Sequence, residues 1–229
     1  MTTSNGDQPA SLISLRGIST GYAGHTVLAG IDLSIAEGER IALLGPSGVG
    51  KSTLLNTLYD TLAGKAALIP QAASLVPQLS CFHNVYMGRL DRHSSLRNLR
   101  ELVWPAKATL AEVEAVLATV GLADALRQRA GSLSGGQAQR TSVARALYNG
   151  RPVVIGDEPV SALDRSQGAR VLETIHATHA TSVLALHDVG LALDHATRVV
   201  VLRSGRIVLD APSAALSEAD LAPFYEPVA

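Results

Sequence analysis

Cysteine is almost missing: Cys81 is the single one in 229 residues. A lone thiol closes no internal disulfide, so a reducing compartment fits and the fold must be held by its core. Surplus charge is missing as well. The 19 Lys and Arg against 20 Asp and Glu leave a formal net charge of −1, which gives no electrostatic case for nucleic acid or an anionic membrane surface. Aromatics amount to 3%, so Leu, Ala and Val must do the burying, as suits a layered α/β fold. Long apolar runs are absent: "SVLAL" and "RVVVL" fall far short of the roughly 20 residues that cross a bilayer. Residues 1–10 are polar and read as a loose tail rather than a signal segment. A chain of this kind that works at a membrane must dock onto something else.

What remains is ample for one sizeable domain with an inserted lobe; 47% of the residues are apolar. "ISLRGISTGY" and "TVLAGIDLSIA" alternate like half-buried antiparallel strands, "RIALL" is a fully apolar strand, and "AALIPQ" is a short one. Residues 72–132 change character, with several Arg, helical periodicity and no convincing strand. Thr109 and Glu112 there suggest a T-x-x-E capping box, with Val113, Val116, Leu117 and Val120 on one face and Gly121 ending the helix. The α/β alternation then resumes: a helix from Ser134, strand "PVVIG", a helix after Asp164, strand "SVLAL", a helix, and strand "RVVVL" turning at "RSGR" into "IVLD". Such alternation predicts a parallel sheet with ligands at the C-terminal edge of its strands. The division is therefore 1–10 tail, 11–71 first part of the α/β core, 72–132 helical lobe, and 133–229 second part of the core.

Three stretches carry chemistry. "GPSGVGKST", Gly45, Pro46, Ser47, Gly48, Val49, Gly50, Lys51, Ser52 and Thr53, matches G-x-x-x-x-G-K-[ST] between an expected strand and an expected helix. Its glycines let backbone N–H groups wrap phosphates, Lys51 reaches the β- and γ-phosphates, and the Ser52 hydroxyl suits Mg²⁺. "VVIGDEP" ends a buried strand in two acids, which is costly unless they face a metal or a reacting group. Asp157 suits Mg²⁺ and Glu158 the attacking water. Gly156 stands where a larger apolar residue is more usual, explicable only by local crowding. In "LSGGQAQR", Ser134 and Gln137 form an S-x-x-Q capping box, which leaves Gly135 and Gly136 unexplained, because paired glycines in a first turn cost stability. Close approach of a ligand would justify them. "HATH", with His176 and His179, has metal-like spacing but reads as a solvated helix face. Cys81 and Trp104 read as packing residues.

With "LSGGQAQR" beside "GPSGVGKST" and "VVIGDEP", the chain resembles the ATPase subunit of an ABC transporter from the Tyr22 region to the hairpin near Gly205. The resemblance implies an α/β fold: a P-loop NTPase core of ABC ATPase type with an antiparallel β-subdomain and an inserted helical signalling lobe. It implies ATP and Mg²⁺ as ligands, and two subunits, identical or paired, packed head to tail. Each ATP then lies between the phosphate loop of one subunit and Ser134, Gly135, Gly136 and Gln137 of the other. Tyr22 resembles the aromatic that stacks on adenine, Gln71 the loop glutamine that meets Mg²⁺ or water, and "SALD", ending in Asp164, the loop crossing the dimer interface. His187 resembles the switch histidine that contacts the γ-phosphate. Two departures stand out. The passage from Lys51 to Gln71 is shorter than usual, predicting a trimmed β-subdomain, and Arg165 stands where proline is frequent.

"SLVPQLSCFHNVYMGRLDRHSSLR" resembles the phosphonate (or phosphate-ester) importer subgroup. That implies separate integral-membrane permease subunits, a solute-binding protein where the direction is import, and a peripheral place at the cytoplasmic face of the membrane. Another small-solute importer or an exporter stays open. The rival from a different class is a soluble ABC ATPase acting on DNA or ribosomes. It would add coiled coils, zinc motifs or a second cassette, none of which is visible, and no nucleic acid is expected. A small-molecule kinase or GTPase would share the phosphate loop alone; no N-K-x-D motif is present. A degenerate regulatory cassette is disfavoured by intact Lys51, Asp157, Glu158 and His187.

Overall fold

Apolar residues on alternate sides of short strands build a sheet that is buried on both faces. The computed structural model describes residues 11–22, 25–62 and 64–225; the expected tail at 1–10 lies outside them. A six-stranded sheet runs in the order β4 (Ala66–Ile69), β5 (Val153–Asp157), β6 (Thr181–Ala185), β3 (Arg40–Leu44), β7 (Arg198–Arg203) and β8 (Arg206–Pro212). Neighbours are parallel except β7 and β8, the hairpin that turns at Ser204 and Gly205. A separate antiparallel pair joins β1 (Ser11–Tyr22) to β2 (His25–Ala36).

The period-2 geometry of strands sorts the core. Ala42, Leu44, Val154, Leu184 and Val199 point to one side, where they meet α5 (Gly135–Asn149), α6 (Arg165–Thr178) and α7 (Val189–His195). Ile41, Leu43, Ile155, Val183 and Val200 point to the other, against Leu54, Leu55 and Leu58 of α1 (Lys51–Thr61) and the β1–β2 pair. Strands buried on both faces lose the polar alternation of surface strands, which is why "PVVIG" and "SVLAL" read as continuous apolar runs. Between β4 and β5 the chain is helical, with α2 (Cys81–Tyr86), α3 (Ser95–Val103) and α4 (Lys107–Thr119). Its cluster of Phe82, Val85, Val113 and Leu117 continues the α5 side of the core.

Four details differ from expectation. The box at Thr109 and Glu112 does not start a helix: α4 begins at Lys107 after N-cap Ala106. The Ala106 N–H instead donates to Glu101 Oε2 at 2.9 Å, so a carboxylate from α3 does the capping and Thr109 is buried one turn inside. Trp104 does not pack inward; it is 81% exposed, in a strip with Leu96, Leu99 and Val103. The short α3 spends its one buried position on Glu101 and leaves its leucines outside. His179 is fully buried rather than solvated, its Nδ1 2.6 Å from the Arg151 carbonyl. His176 is half-buried, with Nε2 3.2 Å from Ser182 Oγ. Among the described residues no cluster of three metal-ligating side chains forms, and Cys81 is buried at the start of α2, as a packing residue should be.

Burial, with Arg40 and neighbouring histidines adding repulsion, lowers the His176 pKa from 6.5 to about 4; burial also lowers that of His179. A depressed pKa means that the unfolded chain takes up the proton first. The contribution of His176 is complete above pH 6.5 and is lost as pH falls from there through about 4. Urea melts of the wild type should lose stability across that window, and His176→Gln should lose less. Equal pH slopes for the two would contradict this assignment.

Candidate functional site

Parallel register makes the strand ends level. Ile69 of β4 lies opposite Gly156 of β5, Asp157 opposite Ala185 of β6, and Leu43 of β3 opposite Ala185. Everything that follows these strands therefore emerges at one edge: Gln71 after β4, Asp157 and Glu158 at the end of β5, His187 after β6, and the glycine loop after β3. Open parallel sheets bind ligands at this edge.

The loop itself is built on close approach. Gly45, at φ 139°, has its missing Cβ 2.2 Å from the Leu202 carbonyl, so no side chain fits there. Gly48 is also left-handed, and Gly50, at φ 108°, caps α1. Pro46 and Val49 are partly covered, Ser47 and Ser52 are exposed, and Thr53 is half-buried. Lys51 is 6% exposed and folds back onto the loop. Its Nζ donates to the carbonyls of Gly45 at 2.7 Å and Pro46 at 2.9 Å, two of the three hydrogen bonds an ammonium can make. Burial lowers its pKa, while Glu158 and Asp157 pull it back up. A buried cation beneath a helix start that has no side-chain cap is suited to an anion.

Opposite stands the acidic pair. Asp157 is buried at the end of β5. Glu158 follows at φ 53°, a left-handed conformation that costs a non-glycine residue about 1–2 kcal/mol. Its backbone is over-determined: the N–H donates to Ala185 O at 3.1 Å, and the carbonyl accepts from Ser161 Oγ at 3.2 Å and from Gln139 Nε2. Its carboxylate Oε1 lies 2.5 Å from His187 Nε2 and accepts from Gln71 Nε2 at 3.3 Å. Gln71, Glu158 and His187 therefore converge. Crowding explains Gly156 beside them, since a Cβ there would meet Leu184 Cδ2 at 2.8 Å.

Ser134 to Gln137 belong to another surface. Ser134 caps α5, accepting from the Gln137 N–H at 3.3 Å, and its own N–H donates to Gln137 Oε1 at 2.9 Å. Gly136 is needed by this chain, because a Cβ would meet Ala162 O and Leu163 Cδ2, both at 3.2 Å. Gly135 has nothing within 4 Å. Asp164 caps α6 through the Gln167 N–H at 2.9 Å. Tyr22 ends β1 opposite His25; its side chain lies outside the described residues. Gln139, which the sequence reading passed over, joins the two surfaces.

A phosphate-binding loop, a strand-end Asp-Glu pair and a histidine, all on one parallel edge, define a nucleoside triphosphatase, and the capped "LSGGQ" helix makes it one of the ABC type. Residues 28–161 match the ABC transporter family. The phosphonates import ATP-binding protein PhnC of Anaeromyxobacter dehalogenans is 36% identical over 245 residues, covering 95% of this chain and 49% of that protein. PhnC of Pseudomonas putida is 36% identical over 254 residues, covering 98% and 92%. The chain thus spans about half the length of the first relative and nearly all of the second. In fold, it is similar to the dimeric structure of MJ0796, a bacterial ABC transporter cassette, with a TM-score of 0.75 at 23% identity over 87% of this chain and 98% of that one. The chain belongs to the ABC transporter family, as an ATP-binding, ATP-hydrolysing subunit.

Proposed function

We propose that two copies, or one copy and a paired cassette, close head to tail on two ATP molecules and drive import of a phosphonate-type solute through separate membrane subunits. The observation that carries the shared site is the pair of glycines. Gly136 is accounted for by packing within the chain, but the empty space before Gly135 serves no internal contact. A bare helix start facing outward beside the Ser134 hydroxyl suits a partner's terminal phosphate.

In the composite site the Gly45–Thr53 loop cradles the phosphates, and the Lys51 ammonium turns from carbonyls to phosphate oxygens. A water oxygen bonds to the γ-phosphorus as the bond to the β-phosphate oxygen breaks. Glu158 accepts a proton from that water and passes it on to the released phosphate, while Gln71 and His187 hold the acid or the γ-phosphate. The Ser52 hydroxyl and the Asp157 carboxylate, with Gln71 at hand, form an all-oxygen donor set that fits Mg²⁺. The ion would neutralise phosphate charge there. Asp164 and its loop would line the dimer interface, and Tyr22 would stack on adenine.

We read the two-stranded sheet β1–β2 as a trimmed form of the family's β-subdomain, and residues 72–132 as the lobe that signals to the membrane. The exposed strip of Leu96, Leu99, Val103 and Trp104 supports that role: clustered apolar surface of this kind marks a docking site. None of the helices among the described residues is long and apolar enough to cross a membrane, which suits peripheral docking at the cytoplasmic face. Phosphonate as cargo rests on the names of the relatives. The test is to purify the tagged chain from detergent-extracted membranes, reconstitute it with any co-purifying membrane subunit and solute-binding protein, and titrate phosphonates. ATPase stimulation by an alkylphosphonate, and none by sulfate, is expected. Purification without a membrane subunit, or indifference to phosphonates, would contradict the proposal.

A further inference from the structure

We infer that Gln139 is a positioning residue that holds Glu158 in its working conformation and couples it to the helix start at Ser134; this rests on Glu158 being the proton acceptor. Gln139 lies in α5, five residues after Ser134, and is 7% exposed. Its side-chain amide is spent on a single turn of chain. Nε2 donates to the Glu158 carbonyl and, at 3.3 Å, to Ser161 Oγ, while Oε1 accepts from the Ala162 N–H at 2.8 Å. One side chain therefore brackets residues 158–162.

Helix formation does not ask for this. Ser134 and Gln137 already complete the cap, and a buried glutamine is dearer than a leucine unless both ends of its amide are paired. What the bracket does is hold the strained peptide. Glu158 sits at φ 53°, and of the three hydrogen bonds its carbonyl accepts, one comes from Gln139 and two from the N–H and Oγ of Ser161, a residue whose hydroxyl Gln139 also holds. Without them the peptide can relax from the left-handed region, swinging the carboxylate away from Gln71 and His187. Because α5 is a rigid rod, a displacement of its N-terminus by a partner's nucleotide reaches the Glu158 carbonyl directly. Each chain then senses at its own acid whether its Ser134 surface is engaged.

The test measures ATP hydrolysis and ATP binding by the full-length chain carrying Gln139→Leu or Gln139→Glu. Leucine removes both ends of the bracket; glutamate keeps the acceptor for Ala162 and removes the donor to Glu158. Both should lower kcat by about 10- to 100-fold with KM for ATP within about twofold, since geometry and not binding is lost. A structural role alone would not predict the second arm. In a Glu158→Gln background, where the acid is already gone, adding either substitution should leave the residual single-turnover rate within about twofold. Losses that multiply, or single variants with kcat within about twofold of wild type, would overturn the inference. Should the leucine variant not fold, the glutamate variant carries the same cycle. Wild-type turnover in Glu158→Gln alone would instead sink the assignment of the acid itself.

Discussion

Glu158→Gln will reduce steady-state ATP hydrolysis by about 100- to 10,000-fold while ATP affinity stays within about twofold. The substitution keeps size, and its amide oxygen can still accept from Gln71 Nε2, which lies 3.3 Å from Oε1. It removes the carboxylate proposed to take the proton from the attacking water. The phosphate loop keeps its hydrogen bonds, since Lys51 donates to Gly45 and Pro46 and not to Glu158; the ammonium loses the pull of the Glu158 charge but keeps that of Asp157. A chain that binds ATP and cannot discharge it should collect in the closed state. Size-exclusion chromatography with ATP and Mg²⁺ should therefore show a stable dimer, and equilibrium dialysis should show retained nucleotide. A variant that hydrolyses normally would contradict the role of Glu158, and a persistent monomer the shared site.

Lys51→Ala and Ser134→Arg should both abolish turnover, for separable reasons. Lys51→Ala removes the cation nearest the phosphates and should weaken ATP binding by about 10- to 100-fold, as expected for a charge-assisted bond worth roughly 1.5–3 kcal/mol. Ser134→Arg sits on an exposed helix start whose capping hydrogen bonds stay within its own turn. It costs a cap, about 1 kcal/mol, which a core of this size absorbs, and it fills the space in front of Gly135. ATP binding by the single chain should be unchanged while hydrolysis disappears. Equal losses of binding and turnover in Ser134→Arg would place Ser134 in its own chain's site.

Much of this is legible in the amino-acid sequence. The strands carrying the site were readable because each is a short apolar run ending in a residue type with one economical use: glycine where the Leu202 carbonyl presses in, acids at a buried strand end, a histidine after "SVLAL". Their meeting at one edge follows from parallel order, which the alternation of strands and helices dictates. Local caps with both partners in register, such as Ser134 with Gln137, were readable for the same reason. What could not be read depends on contacts between distant segments. Glu101 caps α4 from another helix, so the nearer Thr109 and Glu112 misled. Trp104 faces outward because α3 is anchored by Glu101 instead of its leucines. His179 is buried because the Arg151 carbonyl accepts a hydrogen bond from its Nδ1–H, a contact 28 residues away. The left-handed Glu158 and its bracket by Gln139 lie in tertiary geometry that no spacing rule encodes, although the second glutamine of "GGQAQ", set where a core residue would serve, was a signal available to be followed.

Mixing the two dead variants tests the shared site most directly. A Lys51→Ala chain and a Ser134→Arg chain are each inactive alone. Paired head to tail, they put both lesions in one site and leave the other with an intact Lys51 and an intact Ser134. ATP hydrolysis by an equimolar mixture should rise well above the sum of the separate chains, towards about a quarter of wild type for independent sites and random pairing. A mixture no more active than its parts would mean that Lys51 and Ser134 serve the same nucleotide within one chain, and the shared site would be wrong.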